Sequence, residues 1–397
     1  MLHDFIIVGG GIYGITAAIE LRKRNYRVAV INPETIPHHL AASNDVTKAV
    51  RMEYGSDLEY FKMVEESIDI WKAWNTFFNE ELYVETGFLM LSPVGIESMD
   101  NPYEKNSYEN LINQGYKPNR LSQSELKDRF PAFSTEYYKE ANFNPKGGYV
   151  KSGKVVEKLA AYARSLGVSI YEGLTVSKIN KEKGKVTGVS TLQGQEFSCG
   201  HVVVSAGVHT PFLVPELRNY MYASGHPVFW LKPKQTDLFK HDKFPVFSGG
   251  IATSGWYGFP YLEEYGIIKI AKHAKGIFLH PDTDDRRVKD TEVSDMRNFV
   301  EKSMPLLADA ALVGTRRCLY TDTLDGHFWI DRHPEIEGLT ISSGGSGHGM
   351  KMAPLLGAMA ADAAEGKHHK YAKRHKWRHL SDVTLHGDEA RFTENRK

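Results

Sequence analysis

The stretch Phe5-Ile6-Ile7-Val8-Gly9-Gly10-Gly11-Ile12-Tyr13-Gly14 opens the chain with an apolar run that breaks into glycines. Phe5 to Val8 are strand formers, and Ile12, Ile15 and Ile19 recur afterwards at helical spacing. The spacing predicts strand, glycine turn and helix, the phosphate-cradling half of a dinucleotide site. Gly9 permits the tight turn, Gly11 lets a pyrophosphate approach the backbone, and Gly14 lets helix and strand pack closely. The helix N-terminus adds free N–H groups and the positive end of a dipole. The competing reading is an ordinary glycine turn, and the flanking strand and helix argue against it.

A second strand, Val28-Ala29-Val30-Ile31, ends at Asn32, where a dinucleotide site normally places an acidic ribose ligand. An amide oxygen accepts one hydroxyl bond without charge, which weakens NAD and leaves FAD. The far end of the chain supports FAD. Leu339 to Ser343 reads as a strand, Gly344-Gly345-Ser346-Gly347-His348-Gly349 as a turn, and Lys351 to Ala364 as a helix with Pro354 in its first turn. Two glycine turns, one near each terminus, fit a long two-headed cofactor. The first takes the pyrophosphate, and the second directs a helix N-terminus at the flavin pyrimidine, stabilising negative charge on the reduced ring. The alternative for the second turn is a connector to a surface helix.

At 397 residues the chain exceeds one core, so two domains are expected. Lys and Arg total 49 and so do Asp and Glu, which leaves no basic footprint for nucleic acid. No apolar run approaches a membrane span, and the glycine motif begins too early for a cleavable leader. Cys199 and Cys318 make no disulfide framework, and the His-rich tail has no metal-ligand pattern. The expectation is a soluble, cytoplasmic monomer or weak oligomer. The C-terminal Asn395-Arg396-Lys397 differs from the peroxisomal Ser-Lys-Leu signal, and a peroxisomal location stays open. Lys367 to His379 reads as a solvated, charged segment rather than an RNA-binding arm.

The fold class expected is α/β, a Rossmann-like FAD-binding domain joined to a second, mixed-sheet α+β substrate domain. The first would comprise 1–86, 146–218 and 324–380, the second 87–145 and 219–323, with 381–397 as a tail. Ser152 to Leu166 reads as a helix that Ser152 caps and Gly167 ends. Val176 to Ser198 reads as hairpins turning at Lys183-Gly184 and Gln193-Gly194. His201-Val202-Val203-Val204-Ser205-Ala206-Gly207 reads as a buried strand ending in a small-residue turn suited to a cofactor.

Three further segments carry a family likeness. Arg317-Cys318-Leu319-Tyr320-Thr321-Asp322-Thr323-Leu324-Asp325-Gly326-His327-Phe328-Trp329-Ile330-Asp331 resembles the flavin-attachment segment of the monomeric sarcosine oxidase group. Ser346-Gly347-His348-Gly349-Met350-Lys351 resembles its C-terminal substrate-side loop. Ser43-Asn44-Asp45-Val46-Thr47-Lys48-Ala49-Val50-Arg51-Met52-Glu53-Tyr54-Gly55 is similar to a stretch of eukaryotic pipecolate, saccharopine and fructosyl amino acid oxidases. The resemblance implies an oxidase that turns the C–N bond of a secondary amino acid into an imine, with O2 reduced to H2O2.

It also implies roles. Cys318 would be the covalent attachment point for FAD, with Arg316 and Arg317 favouring thiolate; its other reading is an inert buried thiol. The cofactor would run along Gly9, Gly11, Ile12, Tyr13, Gly14, Asn32, Ser43, Asn44, Lys48, Val176, Ala206, Gly207, Gly345, Ser346, Gly347, His348, Gly349 and Lys351. Arg51 and Lys351 would clamp the substrate carboxylate, and Lys48 would stabilise reduced flavin. Lys269, in Ile267-Ile268-Lys269-Ile270, would activate O2; its other reading is an outward-facing Lys on an alternating strand. Tyr257 and Tyr320 would line the substrate pocket, or simply pack. His273 matches an active-site His of sarcosine oxidase, where fungal fructosyl enzymes carry Glu, which counts against a fructosyl substrate. For His348, placing backbone and doing chemistry are equally open. L-Pipecolate or L-saccharopine leads, with sarcosine and fructosyl amino acids behind. A different class, an FAD dehydrogenase using a non-oxygen acceptor, stays in view.

Overall fold

The computed structural model describes residues 3–98, 102–382 and 391. The opening strand His3–Val8 lies inside an eight-stranded sheet. Its parallel run follows the spatial order Ser169–Glu172, Val28–Asn32, His3–Val8, Glu196–Val204 and Leu339–Ser343. Alternation sorts the side chains into two cores. Phe5, Ile7, Val28 and Val30 join one apolar cluster, while Ile6, Val8, Ala29 and Ile31 join another. A parallel strand covered on both faces needs consecutive apolar residues, which explains the run that opens the chain. Helices Ile12–Lys23, Ser152–Ser165 and Ala353–Glu365 supply the first cluster's outer layer. The hairpins turn where expected: Lys183, Gly184 and Gly194 have positive φ between Val176–Glu182, Lys185–Thr191 and Glu196–Val204.

A second sheet has nine strands, in mixed parallel and antiparallel pairing, drawn from residues 88–144 and 221–323. Leu89, Leu91, Phe229, Leu231, Phe247, Ile268 and Ile270 enter a core closed by Met296, Phe299 and Val300 of helix Asp290–Ser303. The intervening residues therefore share the opposite face. The register sets Trp230 against Lys269, His226 against Cys318, Ser224 against Tyr320 and Tyr257 against Ala271. Period 2 thus separates Lys269 from the isoleucines on either side of it.

Three expectations change. Ser152 is the first helical residue rather than the cap, which is Lys151, and its hydroxyl donates to the Asp45 carbonyl at 2.9 Å. The second glycine turn leads first into a 3-10 turn, Gly349–Met352, and the α-helix starts at Ala353. The Lys367–His379 segment is solvated only in part: Lys367, His368, Lys370, Lys373, Lys376 and His379 are exposed, and the other residues pack. His375 is fully buried and stacks on Phe328 at 5.1 Å, Arg378 bonds both oxygens of Asp325 at 2.6 and 2.8 Å, and Arg374 pairs with Asp57. The carboxylates that neutralise these bases come from distant loops, so composition alone does not reveal them. The 381–397 tail lies outside the described residues, apart from 381, 382 and 391. Among the described residues no helix is long and apolar enough to cross a membrane.

Candidate active site

A cavity of about 760 Å³ sits at the carboxyl ends of the parallel strands, where open α/β sheets bind ligands. Both glycine turns line it, through Gly9, Gly11, Ile12 and Tyr13 on one side and Gly345, Ser346, Gly347 and Gly349 on the other. Asn32, Ser43, Val176, Ala206, Gly207, Lys48 and Tyr320 complete the lining among the residues anticipated from sequence. Gly14 stays outside. A Cβ on it would stand 1.9 Å from the Gly9 carbonyl oxygen, so it serves helix–strand packing. Asn44, His348 and Lys351 also stay outside the lining; Asn44 staples its loop, donating to the His38 carbonyl at 3.1 Å. Asn32 is partly committed: its Oδ1 accepts the Gly10 N–H at 2.9 Å and its amide donates to the Glu34 carbonyl at 2.7 Å. One lone pair and one N–H remain for a ribose.

The lining fits a polar, elongated cofactor. Tyr13 Oη, Ser205 Oγ and Ser342 Oγ are buried at its wall without a hydrogen-bond partner among the described residues. Buried polar groups are ordinarily paired, and the hydroxyls and phosphates of a dinucleotide would pair these. His38 of the lining and the exposed Glu34 and His39 hold ligand-type atoms within 4.8 Å of one another.

Cys318 is buried beside this cavity, and Lys48 Nζ donates to its Sγ at 3.8 Å. Lys48 is therefore the cation bonded to the sulfur, with Arg286 and Lys269 also near enough to feel it. Arg317 projects from the other face of its strand and binds Glu292 at 2.9 Å, and Arg316 donates to the carbonyls of Asn44 and Ala41. Lys269 is completely buried, and its ammonium donates to Asp45 Oδ2 and to the Thr47 carbonyl, both at 2.6 Å. Asp45 Oδ2 also lies 3.2 Å from Lys48 Nζ. Burial pulls Lys269 down to about 8 despite the Asp45 charge. Burial would raise Asp45, yet Lys269 and Lys48 hold it well below the usual carboxylate range. Sequence spacing assigns Asp45 no role, because its partner Lys269 lies 224 residues away.

The carboxylate-clamp candidates converge on one ring. The Arg51 guanidinium carbon lies 5.1 Å and Lys351 Nζ 5.8 Å from the Tyr54 centroid. Arg51 donates to Tyr103 Oη at 2.8 Å, and both cations are buried. His348 stands behind Tyr54: its Nε2–H donates to the Gly326 carbonyl at 2.9 Å, leaving Nδ1 to accept the Tyr54 hydroxyl at 3.2 Å. That geometry favours placement over chemistry. Tyr257 and Tyr320 share a hydrogen bond, and burial raises both phenols. Tyr320 stacks on His226 at 3.9 Å, while the buried His273 ring lies 6.4 Å from Tyr320. Tyr54 and His226 were not singled out from sequence. Alternation along Met221–Lys232 was the available signal for His226, since it shares a face with Ser224.

The chain matches the family model described as FAD dependent oxidoreductase (DAO) over residues 4–363. It is 28% identical to human peroxisomal sarcosine oxidase over 363 residues, covering 90% of each chain. It is 25% identical to L-saccharopine oxidase of Schizosaccharomyces pombe, covering 92% of this chain and 90% of the relative. Among solved structures, fructosamine oxidase (Amadoriase II) of Aspergillus fumigatus superposes with a TM-score of 0.81 at 24% identity, over 98% of this chain and 93% of its own. The strand–turn–helix start, the cavity between two glycine turns and the match over residues 4–363 agree: the chain belongs to the FAD dependent oxidoreductase family.

Proposed function

We propose that this protein is a flavoprotein oxidase acting on a secondary, cyclic or N-substituted amino acid, with L-pipecolate or L-saccharopine as the leading substrates. The observation that carries it is the pair of buried cations, Arg51 and Lys351, which lie 5.1 and 5.8 Å from the Tyr54 ring centroid. A fork and a point charge at one place suit a carboxylate and would fix the neighbouring carbon for hydride loss. Bound FAD would supply the two-electron acceptor, and Cys318 would hold it through a thioether. The amine gives up a hydride and its N–H proton to become an imine. The two electrons then pass with two protons to O2, which leaves as H2O2. Tyr257 and Tyr320 close the pocket against water, Lys48 steadies negative charge near the Cys318 sulfur, and Lys269 offers the fixed cation that lowers the cost of charging O2. Residues 87–145 and 219–323 would form the substrate domain. A small-molecule substrate and O2 are the partners, for a cytoplasmic monomer or weak oligomer.

A single set of experiments tests this. Anaerobic bleaching of the flavin is measured with pipecolate, saccharopine, sarcosine, proline and fructosyl-valine; one of the first two should react fastest, and no bleaching by any would sink the assignment. Acid-precipitated protein should stay yellow, and Cys318→Ser should release the colour. Lys269→Met should slow reoxidation by O2 about a hundredfold or more while leaving anaerobic reduction nearly intact. One observation favours a second reading, a dehydrogenase passing electrons to a non-oxygen acceptor: the Lys269 charge is paired with Asp45. Equal reoxidation of wild type and Lys269→Met would select it.

A further inference from the structure

We infer that Asp45 is a positioning residue that shares one carboxylate oxygen between Lys269 and Lys48 and thereby sets the charge presented to dioxygen. The inference rests on the oxidase reading above. Asp45 Oδ2 lies 2.6 Å from Lys269 Nζ and 3.2 Å from Lys48 Nζ, and all three groups are buried or nearly so. Oδ1 accepts the Val46 N–H at 2.7 Å. The Asp45 carbonyl accepts the Gly153 N–H and the Ser152 hydroxyl, both at 2.9 Å, from the first turn of helix Ser152–Ser165. The carboxylate is therefore held at both its backbone and its side chain, and Lys269 is held by it.

Two ammoniums and one carboxylate leave a net charge of +1 in a water-poor site; without the carboxylate it would be +2. Taking two like charges out of water without a counter-ion is costly, and the cheapest relief is loss of a proton. Lys269 is the group that would give it up. It is completely buried and already depressed, whereas the Lys48 side chain keeps 16% of its exposure and so is better placed to hold its charge. A thioether at Cys318 would leave Asp45 as the anion serving both lysines. Among the described residues, the other charged or titratable groups facing the trio are Arg316 and Cys318 from strand Ala311–Thr323, Tyr257 from Trp256–Gly258 and Tyr265 from the turn before Gly266. Arg316 is taken up by the Ala41 and Asn44 carbonyls. Asp45 thus keeps the dioxygen-facing ammonium protonated through neutral pH, at the expense of half the field the two lysines would otherwise supply.

The test is stopped-flow reoxidation of the substrate-reduced holoenzyme by O2 across pH 6 to 10. Asp45→Asn keeps the shape and one acceptor oxygen but removes the charge. Its reoxidation midpoint should fall at least about one pH unit below that of wild type, which is about tenfold in the lysine ionisation ratio at a given pH. Its rate should rejoin wild type at the acid end. Asp45→Glu, which restores the charge, should move the midpoint back. Lys48→Met removes the competing cation and should raise the midpoint, which keeps the idea testable should Asp45→Asn not fold. Unchanged midpoints in Asp45→Asn and Lys48→Met would overturn the inference. A Lys269→Met enzyme that reoxidises like wild type would overturn the oxidase reading itself, and the two failures are therefore separable.

Discussion

Lys269 and Glu104 show two ways for a single charged side chain to survive without water. Lys269 keeps its charge by pairing, since Asp45 Oδ2 lies 2.6 Å away and Phe259 presents its ring face at 4.8 Å. Glu104, completely buried on helix Pro102–Asn113, gives its charge up. Burial pushes it up to about 8, with the Ser92 hydroxyl opposing. Because the folded value lies above the ordinary 4.5, the native state keeps a proton that the unfolded chain releases. Its stabilising contribution is complete below pH 4.5 and is lost as pH rises through about 8. Glu104→Gln has nothing to titrate. Relative to wild type it should match in urea unfolding at pH 4 and gain with pH, by about 1.4 kcal/mol per unit until the gain levels off near pH 8. A gap between the two proteins that did not change with pH would show that Glu104 is ionised in the native state.

At the scale of elements, the first glycine turn separates two roles that one motif combines. A Cβ at Gly14 would stand 1.9 Å from the Gly9 carbonyl oxygen, whereas one at Gly11 would meet only Ser43 Oγ, at 3.2 Å. Gly14→Ala should therefore cost about 1 to 3 kcal/mol or more in the melting of the cofactor-free protein, because helix and strand must separate. Gly11→Ala should melt like wild type without cofactor yet retain markedly less flavin, because it fills the approach to the backbone. Flavin-to-protein absorbance ratios and thermal melts distinguish them, and identical behaviour of the two variants would refute the division. This element was legible because its logic is local: apolar run, turn and helical spacing adjoin in sequence. The alternation of Ile268-Lys269-Ile270 was equally local, and it left open only which face held the lysine. What could not be read was pairing at a distance. Asp45 with Lys269, Ser152 with the Asp45 carbonyl and Tyr54 with Lys351 each join segments that the chain keeps apart.

Across the whole molecule, the C-terminal basic segment ties the cofactor sheet to the site. Arg378 bonds both Asp325 oxygens, donates to the His327 and Phe328 carbonyls at 3.1 Å, and lies 4.3 Å over the Trp329 ring. Asp325 opens the turn whose Gly326 carbonyl holds His348 Nε2, and His348 Nδ1 meets Tyr54 at the clamp. A residue counted from composition as solvent-facing is thus linked through four groups to the proposed carboxylate site. Removing one partner of a buried ion pair leaves the other uncompensated, at a cost of about 3 to 5 kcal/mol. Asp325 is 5% exposed, so this cost should apply to Arg378→Met. That variant should melt several degrees lower and raise the KM for the amino acid substrate, with a smaller change in kcat. Asp325→Asn combined with Arg378→Met removes the stranded charge and should recover most of the melting temperature. It should not recover the KM if the turn itself needs the arginine to hold its carbonyls. Recovery of neither would mean that the Trp329 contact, not the charge pair, carries the stability.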